Sequence, residues 1–468
     1  MPPADRMRRA TAWITGVRGA AGAGPRSPRP APLPVPRPAR APDAAVPDTP
    51  PEALGTATTD PTGRLPGGLA QLRVQRARSA AGEPAYVLTG TCGGSEEERP
   101  YGPPEPQLPP TDINLARVHA AGAVPSQFYR AVRHWSQLQR PLVGWLNDQR
   151  ARHGAALHVV VWDDTDYEIP WELLLLTTGD GGPDLPLGAA VPVARWTTIR
   201  ELRRPLLDVP ADCSGRVLGY FDGRMRQDID VFAPFDHEPH TDVDRFLDRL
   251  DERRRDPDRP DHPDNPGRAD RPDHPDRPGE PDRPGLGLVY MGCHGTHGKR
   301  IDDLTAGMLT WHEMDEPAMR ALRGGTGSDG TLVCLNVCHS GRLVENKGGG
   351  EDALRGFSEL FLRKGAKACI ATRGEVGESE ARALLRHLVK YARERPGVPL
   401  AHMLRDFRAL AVGQLPRRLP RTREPGGGQD VEAQRRVLTL LYHFMYVYYG
   451  HPLTTLRLTS GRRGPEAR

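Results

Sequence analysis

A chain of 468 residues is long enough for two or three average domains, and its net charge of +4 is small for that size. Acidic and basic residues are interleaved almost everywhere with no aromatic–basic stripe, which argues against a nucleic-acid ligand. Nothing approaches eighteen consecutive apolar residues and no signal peptide is recognisable, so a cytoplasmic protein with no membrane partner is expected.

In chain order, residues 1–110 read as largely disordered. Their Ala/Pro/Arg-rich runs, such as PRSPRPAPLPVPRPARAP, hold too little apolar surface to offset the entropy of ordering. Residues 111–215 read as a helical and strand N-terminal part. Helical spacing runs over 113–152, with Phe128, Val132, Trp135, Leu138, Leu142 and Trp145 on one broad face. LHVVVWDD (157–164) reads as a strand and is followed by IPWELLLL (169–176).

Residues 216–456 read as the catalytic region, followed by a tail at 457–468. RVLGYFDG (216–223) is a strand and Val243–Arg253 a helix. Between 251 and 285 the chain is nearly all Asp, Arg, Pro and His. Proline at every third or fourth position forbids helix and sheet, so a disordered insert is expected.

Order then returns. LGLVYMGCHG (286–295), TLVCLNVCHSG (331–341) and AKACIAT (366–372) are apolar strands. EDALRGFSELFLRKG (351–365), 378–395 and 399–412 carry helical period, and YHFMYVYYG (442–450) reads as a last strand. Continuous apolar strands separated by amphipathic helices predict an α/β fold: a mostly parallel sheet with helices on both faces.

In such a sheet, reactive groups collect beyond the carboxyl ends of the strands. Two strands here end in reactive chemistry, one in Cys293-His294-Gly295, the other in Cys338-His339-Ser340-Gly341. Imidazole can take a thiol proton and later protonate a leaving amine, so His294 and Cys338 are the candidate catalytic pair. The backbone amides at Gly295 and Cys338 are candidates for an oxyanion hole. Side chains alternate along 331–338, so Cys334 lies four residues back from Cys338, roughly 13 Å down the strand. Cys293 must point away from its neighbour His294.

A lone His-Gly is a common turn and a lone strand-end Cys is usually a small core residue; the conjunction is stronger than either. A zinc site built from Cys293, His294, His297, Cys338 and His339 is the first rival. Its ligands are adjacent or scattered rather than paired at metal spacing, so no metal and no cofactor is expected. The six cysteines (Cys92, Cys213, Cys293, Cys334, Cys338, Cys369) sit mostly in apolar runs, which suits reduced thiols.

Several segments together resemble the CHAT domain, the bacterial caspase-like module. They are VYMGCHG, LVCLNVCHSG, ELFLRKGAKACIATRGEV and YVYYGHP, with IPWELLLL upstream, so the resemblance runs from about 157 to 455. His294 stands 44 residues before Cys338; caspases keep about 50 between the two. The resemblance implies a caspase-like fold, a cysteine endopeptidase acting on a protein substrate, and His294 and Cys338 as its dyad. It also implies a regulated signalling, defence or cell-death role with a regulatory or sensor protein as partner. A catalytically weak CHAT scaffold that recognises a partner is the second reading.

Three departures stand out. No TPR array is present. The insert occupies part of the space of a further strand and helix, so that strand is either lost or supplied elsewhere. Metacaspases carry an Asp two positions before the nucleophile to bind a basic P1 side chain, where this chain has Asn336. Candidate substrate-binding residues are Asn336, Asp222 and Arg224 past the 216–221 strand, and Glu375 and Glu378 past Thr372. Their mixed charge leaves P1 open.

Overall fold

The computed structural model describes residues 67–93, 100–103, 105–119, 123–177, 184–199, 210–252, 285–322, 329–345, 354–416, 418–421 and 430–461. Its centre is one large sheet. The strands are β1 (Leu69–Arg78), β2 (Pro84–Cys92), β3 (His158–Asp163), β4 (Val193–Trp196), β5 (Asp212–Phe221) and β6 (His237–His240). Then follow β7 (Leu286–Cys293), β8 (Leu332–Val337), β9 (Ala368–Thr372), β10 (Tyr446–Gly450) and β11 (Thr455–Leu458). Across the sheet the order is β5–β7–β8–β9–β10–β4–β3–β1–β2, with β6 and β11 also paired to β5.

β5, β7, β8 and β9 run parallel to one another. β10 is antiparallel to β9 and starts a second parallel block with β4, β3 and β1. The expected class, α/β with a mostly parallel sheet, is therefore borne out. Every residue of β7 and β8 is buried, as their unbroken apolar runs require of strands covered on both faces.

Helices α1 (Pro125–Leu138), α2 (Arg140–His153), α3 (Val243–Asp251), α4 (Phe357–Lys364), α5 (Glu378–Glu394), α6 (Leu400–Val412) and α7 (Val431–Met445) supply the layers. On one face, Val289, Leu335, Val337 and Ala371 pack with Phe246 of α3 and Phe361 of α4. On the other, Tyr290, Cys334 and Ile370 pack with Leu384 of α5 and Phe407 of α6. A third cluster joins β1–β3 to α1, α2 and α7 through Leu72, Val161, Trp135, Leu146 and Leu441. No helix among the described residues is long and apolar enough to cross a membrane.

Several boundaries differ from the sequence reading. Order begins well before 111, because β1 and β2 form an antiparallel hairpin on the sheet edge. From Ala70 onward LAQLRV alternates: Ala70, Leu72 and Val74 are fully buried while Gln71 and Arg73 between them are part-exposed. The helical stretch 113–152 is broken into a short turn at Leu115–Arg117, α1 and α2; a proline stands in the first turn of each long helix. Leu354–Arg355 pairs with Val344–Glu345, so the helix expected from 351 begins at Phe357. Residues 442–445 are the last turn of α7, and β10 starts at Tyr446. The further strand is present as β6, ahead of the insert, and the helix read at Val243–Arg253 is present as α3. Of the insert, 253–284 lies outside the described residues, as do 1–66 and 462–468.

Candidate active site

β7 and β8 pair in parallel up to Cys293 opposite Val337. His294 and Cys338 therefore come one step beyond the last paired residues of two adjacent strands, which lie about 4.8 Å apart. His294 is exposed and its carbonyl accepts from the Gly307 amide at 2.6 Å. Cys338 is partly buried, with Cys213, Cys293, Cys334 and Cys369 fully inside. Gly295 lies against the Cys338 backbone. A Cβ there would stand 2.4 Å from the Cys338 carbonyl oxygen and 2.6 Å from Val337 Cγ1, closer than any side chain allows.

The turn carrying Cys338 is held from several sides. His339 has φ 63°, and its amide donates to Gly374 O at 3.1 Å. The Gly341 amide donates to Thr372 O at 2.7 Å, and Thr372 Oγ1 to Val337 O at 2.6 Å. The Ser340 hydroxyl accepts from the Thr372 amide at 3.1 Å and donates to Leu335 O at 3.3 Å. The turn is thereby fastened to the end of β9, and it brings Glu375 and Val376 over the thiol.

Burial pushes the Cys338 thiol up, and the Glu375 carboxylate adds to that; the amides of Val376 and of Cys338 itself point at the sulfur and pull the other way. Burial pushes Cys334 up to about 12 and raises Cys293 as well. Cys338 is thus the thiol with amide donors directed at it.

Two further histidines stand here that the sequence reading treated only as metal-ligand candidates. The His339 Nε2 atom is 3.8 Å from Glu375 Oε1, and its Nδ1 has no hydrogen-bond partner among the described residues. Its imidazole holds the Glu375 carboxyl below the usual range. The His297 ring lies 6.0 Å from the His339 ring, and burial, then Arg342, push His297 down to about 3. Among the described residues no group of three or more His, Cys, Asp or Glu side chains is placed to hold a metal ion.

The substrate-binding candidates divide. The Asp222 amide donates to Gly292 O at 2.9 Å, which fixes Asp222 beside the tip of β7; Arg224 is exposed on the following turn. Glu375 is exposed, and Glu378 at the start of α5 accepts from Gln227 Nε2 at 2.6 Å. Asn336 does not join them. It is 4% exposed, its Nδ2 donates to Tyr290 Oη and Ala381 O at 3.0 Å each, and its Oδ1 accepts from Tyr446 Oη at 2.6 Å. Both its N–H groups are used inside the core, so it is a buried structural amide and not part of a substrate wall. A cleft lined by Asp163, Thr165, Glu168, Arg195, Gly341 and Arg373 contains none of the five candidates.

Residues 279–415 match the model of the CHAT domain family. The CHAT match runs from before β7 to just past α6, so it contains both strand tips and leaves β1–β6, β10 and β11 outside. It covers less of the chain than the motifs from 157 to 455 suggest.

No curated protein matches the sequence. Among solved structures, the chain is similar to one from the Saccharomyces cerevisiae separase–securin complex, at 11% identity and a TM-score of 0.34. That match covers 67% of this chain and 17% of the other, so the chain spans about a sixth of that protein's length. A second is from the complex of Porphyromonas gingivalis RgpB pro- and mature domains, at 10% identity and TM-score 0.39 over 68% of this chain and 70% of that one. A third, described as a protease, gives 11%, 0.37, 68% and 70% for the same quantities.

Proposed function

We propose that this chain is a CHAT-type, caspase-like cysteine endopeptidase acting by a Cys338–His294 dyad. The observation that carries this is the register of β7 and β8: with Cys293 opposite Val337, an imidazole and a thiol follow at neighbouring strand tips. His294 takes the thiol proton, and the thiolate attacks the scissile carbonyl to give a tetrahedral intermediate. The amides of Gly295 and Cys338 stabilise the oxyanion. His294 then protonates the leaving amine, and water hydrolyses the thioester. Asp222, Arg224, Glu375 and Glu378 are the side chains assigned to contact substrate. No metal enters this scheme, so turnover should survive a chelator.

The partners in this reading are a protein substrate and a regulatory or sensor protein, in a cytoplasmic bacterial signalling, defence or cell-death role. One observation favours the second reading, a weakly catalytic scaffold: burial and Glu375 both raise the Cys338 thiol. Labelling with an electrophilic peptide probe separates the two. Labelling that disappears in Cys338→Ala supports the protease; a folded protein that takes no probe at Cys338 supports the scaffold.

A further inference from the structure

Among the described residues, three that are not glycine have positive φ: Glu168 (55°), Met319 (48°) and His339 (63°). One of them, Glu168, is the acid of an ion pair with Arg342, and a second, His339, sits in the turn that Arg342 closes. Arg342 forks its Nε and Nη2 onto Glu168, with Nη2 2.9 Å from Oε2. Oε2 also accepts from Asn114 Nδ2 at 2.7 Å. Glu168 is 8% exposed, so this is a planar, shielded fork of the kind only a guanidinium makes. At its other end, the Arg342 amide donates to His339 O at 3.1 Å, closing the turn that follows Cys338.

The base of the pair is itself fixed. Arg195 Nη2 donates to the carbonyl of Ile169, next to Glu168, at 2.9 Å, and the same guanidinium pairs with the buried Glu172. Asn114 is tied to its own turn by the Ala116 amide at 2.9 Å. Backbone held in a sparsely populated region persists only where its surroundings over-determine it, and such positions concentrate at functional sites. Here both belong to one clamp, from a buried base to the residue after the thiol.

We propose that Glu168 is a positioning residue, which through Arg342 holds the His339–Arg342 turn in the conformation that presents Cys338. The proposal rests on the reading of Cys338 as nucleophile. Glu168 touches no substrate in this scheme; it acts through Arg342.

The test compares Glu168→Gln, Arg342→Lys and the double variant by kcat and KM on a cleaved peptide, by thermal midpoint, and by the iodoacetamide rate at Cys338 read by peptide mass. Arg342→Lys keeps the charge and loses the fork, so it carries the test if Glu168→Gln does not fold. Each single variant should lower kcat and the Cys338 alkylation rate by about 10- to 100-fold with KM within about threefold, since a misplaced reacting group costs on this scale. The double variant should lose no more than the worse single one. Wild-type kcat and alkylation in folded Arg342→Lys, or losses that only follow the thermal midpoint, would overturn the proposal. If the wild-type protein cleaves no peptide, the protease reading fails and the Cys338 alkylation rate alone decides this one: a fall upholds it, no change overturns it.

Discussion

Cys293 and Val337 are the last paired residues of two parallel strands, and the two groups assigned to chemistry, His294 and Cys338, each follow by one residue. The closeness of the strand tips depends on Gly295, whose missing side chain leaves room for the Cys338 carbonyl. Gly295→Ala should therefore separate the tips and lower kcat/KM by about 100-fold, the scale of an ångström's misplacement. Gly144→Ala in α2 is the control. A Cβ there meets nothing within 4 Å, so it should add about 0.5–1 kcal/mol of stability and leave turnover alone. Equal turnover in both variants would contradict the arrangement.

Cys334 shares a face with Asn336 but lies deep in the core, where burial pushes its thiol up to about 12. Cys334→Ala should leave turnover intact and cost about 1 kcal/mol of packing. A differential-scanning measurement beside a cleavage assay checks both halves. Loss of cleavage with an unchanged melting temperature would move the nucleophile.

What the sequence revealed, and what it hid, follows range. β7, β8 and β9 are legible because continuous apolar runs ending at small residues are local signals. β1 and β2 are hidden by the proline- and arginine-rich composition around them, although LAQLRV alternates visibly. The burial of Asn336 is not legible, because its partners Tyr290 and Tyr446 lie 46 and 110 residues away. The Glu168–Arg342 pair spans 174 residues and has no local signature at all. The aromatic run YHFMYVYY suits a helix end and a strand equally, and α7 takes its first half.

Glu172, in the Pro-Trp-Glu segment, lies between two fully buried guanidiniums. Arg195 Nη2 approaches Glu172 Oε2 at 2.5 Å and Arg408 Nη2 approaches Oε1 at 4.0 Å. Despite burial, which acts to raise it, Arg195 holds the Glu172 carboxyl down at about 2. Glu172→Gln leaves Arg408 without its carboxylate and Arg195 with only Asp163 at 3.9 Å, and should cost about 3–5 kcal/mol. Denaturant unfolding measures it. A loss below about 1 kcal/mol would mean the network is relaxed or hydrated.

Histidines set the mild-acid limit of stability. Burial pushes His297 and His402 down to about 3 and His451 to about 4. The unfolded chain binds protons near pH 6.5 that the folded one refuses, so their contribution is complete above that pH and falls as pH drops toward 3–4. Each group adds a slope of about 1.4 kcal/mol per pH unit in that window. Glu172 and Glu238, both held at about 2, keep their full contribution above about 4.5 and lose it only as pH falls below that, so they add no slope between pH 7 and 5. Urea unfolding at pH 7.0 and 5.0 should show the drop, and His402→Gln should reduce it. Equal stability at the two pH values would contradict the buried neutral histidines.

The assignment of the dyad rests on choosing His294 over His339, the residue after the thiol, and His297, whose ring lies 6.0 Å from that of His339. The deciding measurement is cleavage of a random peptide library by the wild-type protein and by Cys338→Ala, His294→Ala, His297→Ala and His339→Ala. Cys338→Ala should abolish cleavage, and His294→Ala should lower it by about 10²–10⁴-fold, the worth of a general acid/base. His297→Ala and His339→Ala should each keep more than about a tenth of the rate, because neither is the proton carrier. Turnover that survives Cys338→Ala, or that collapses in His297→Ala while persisting in His294→Ala, would contradict the account.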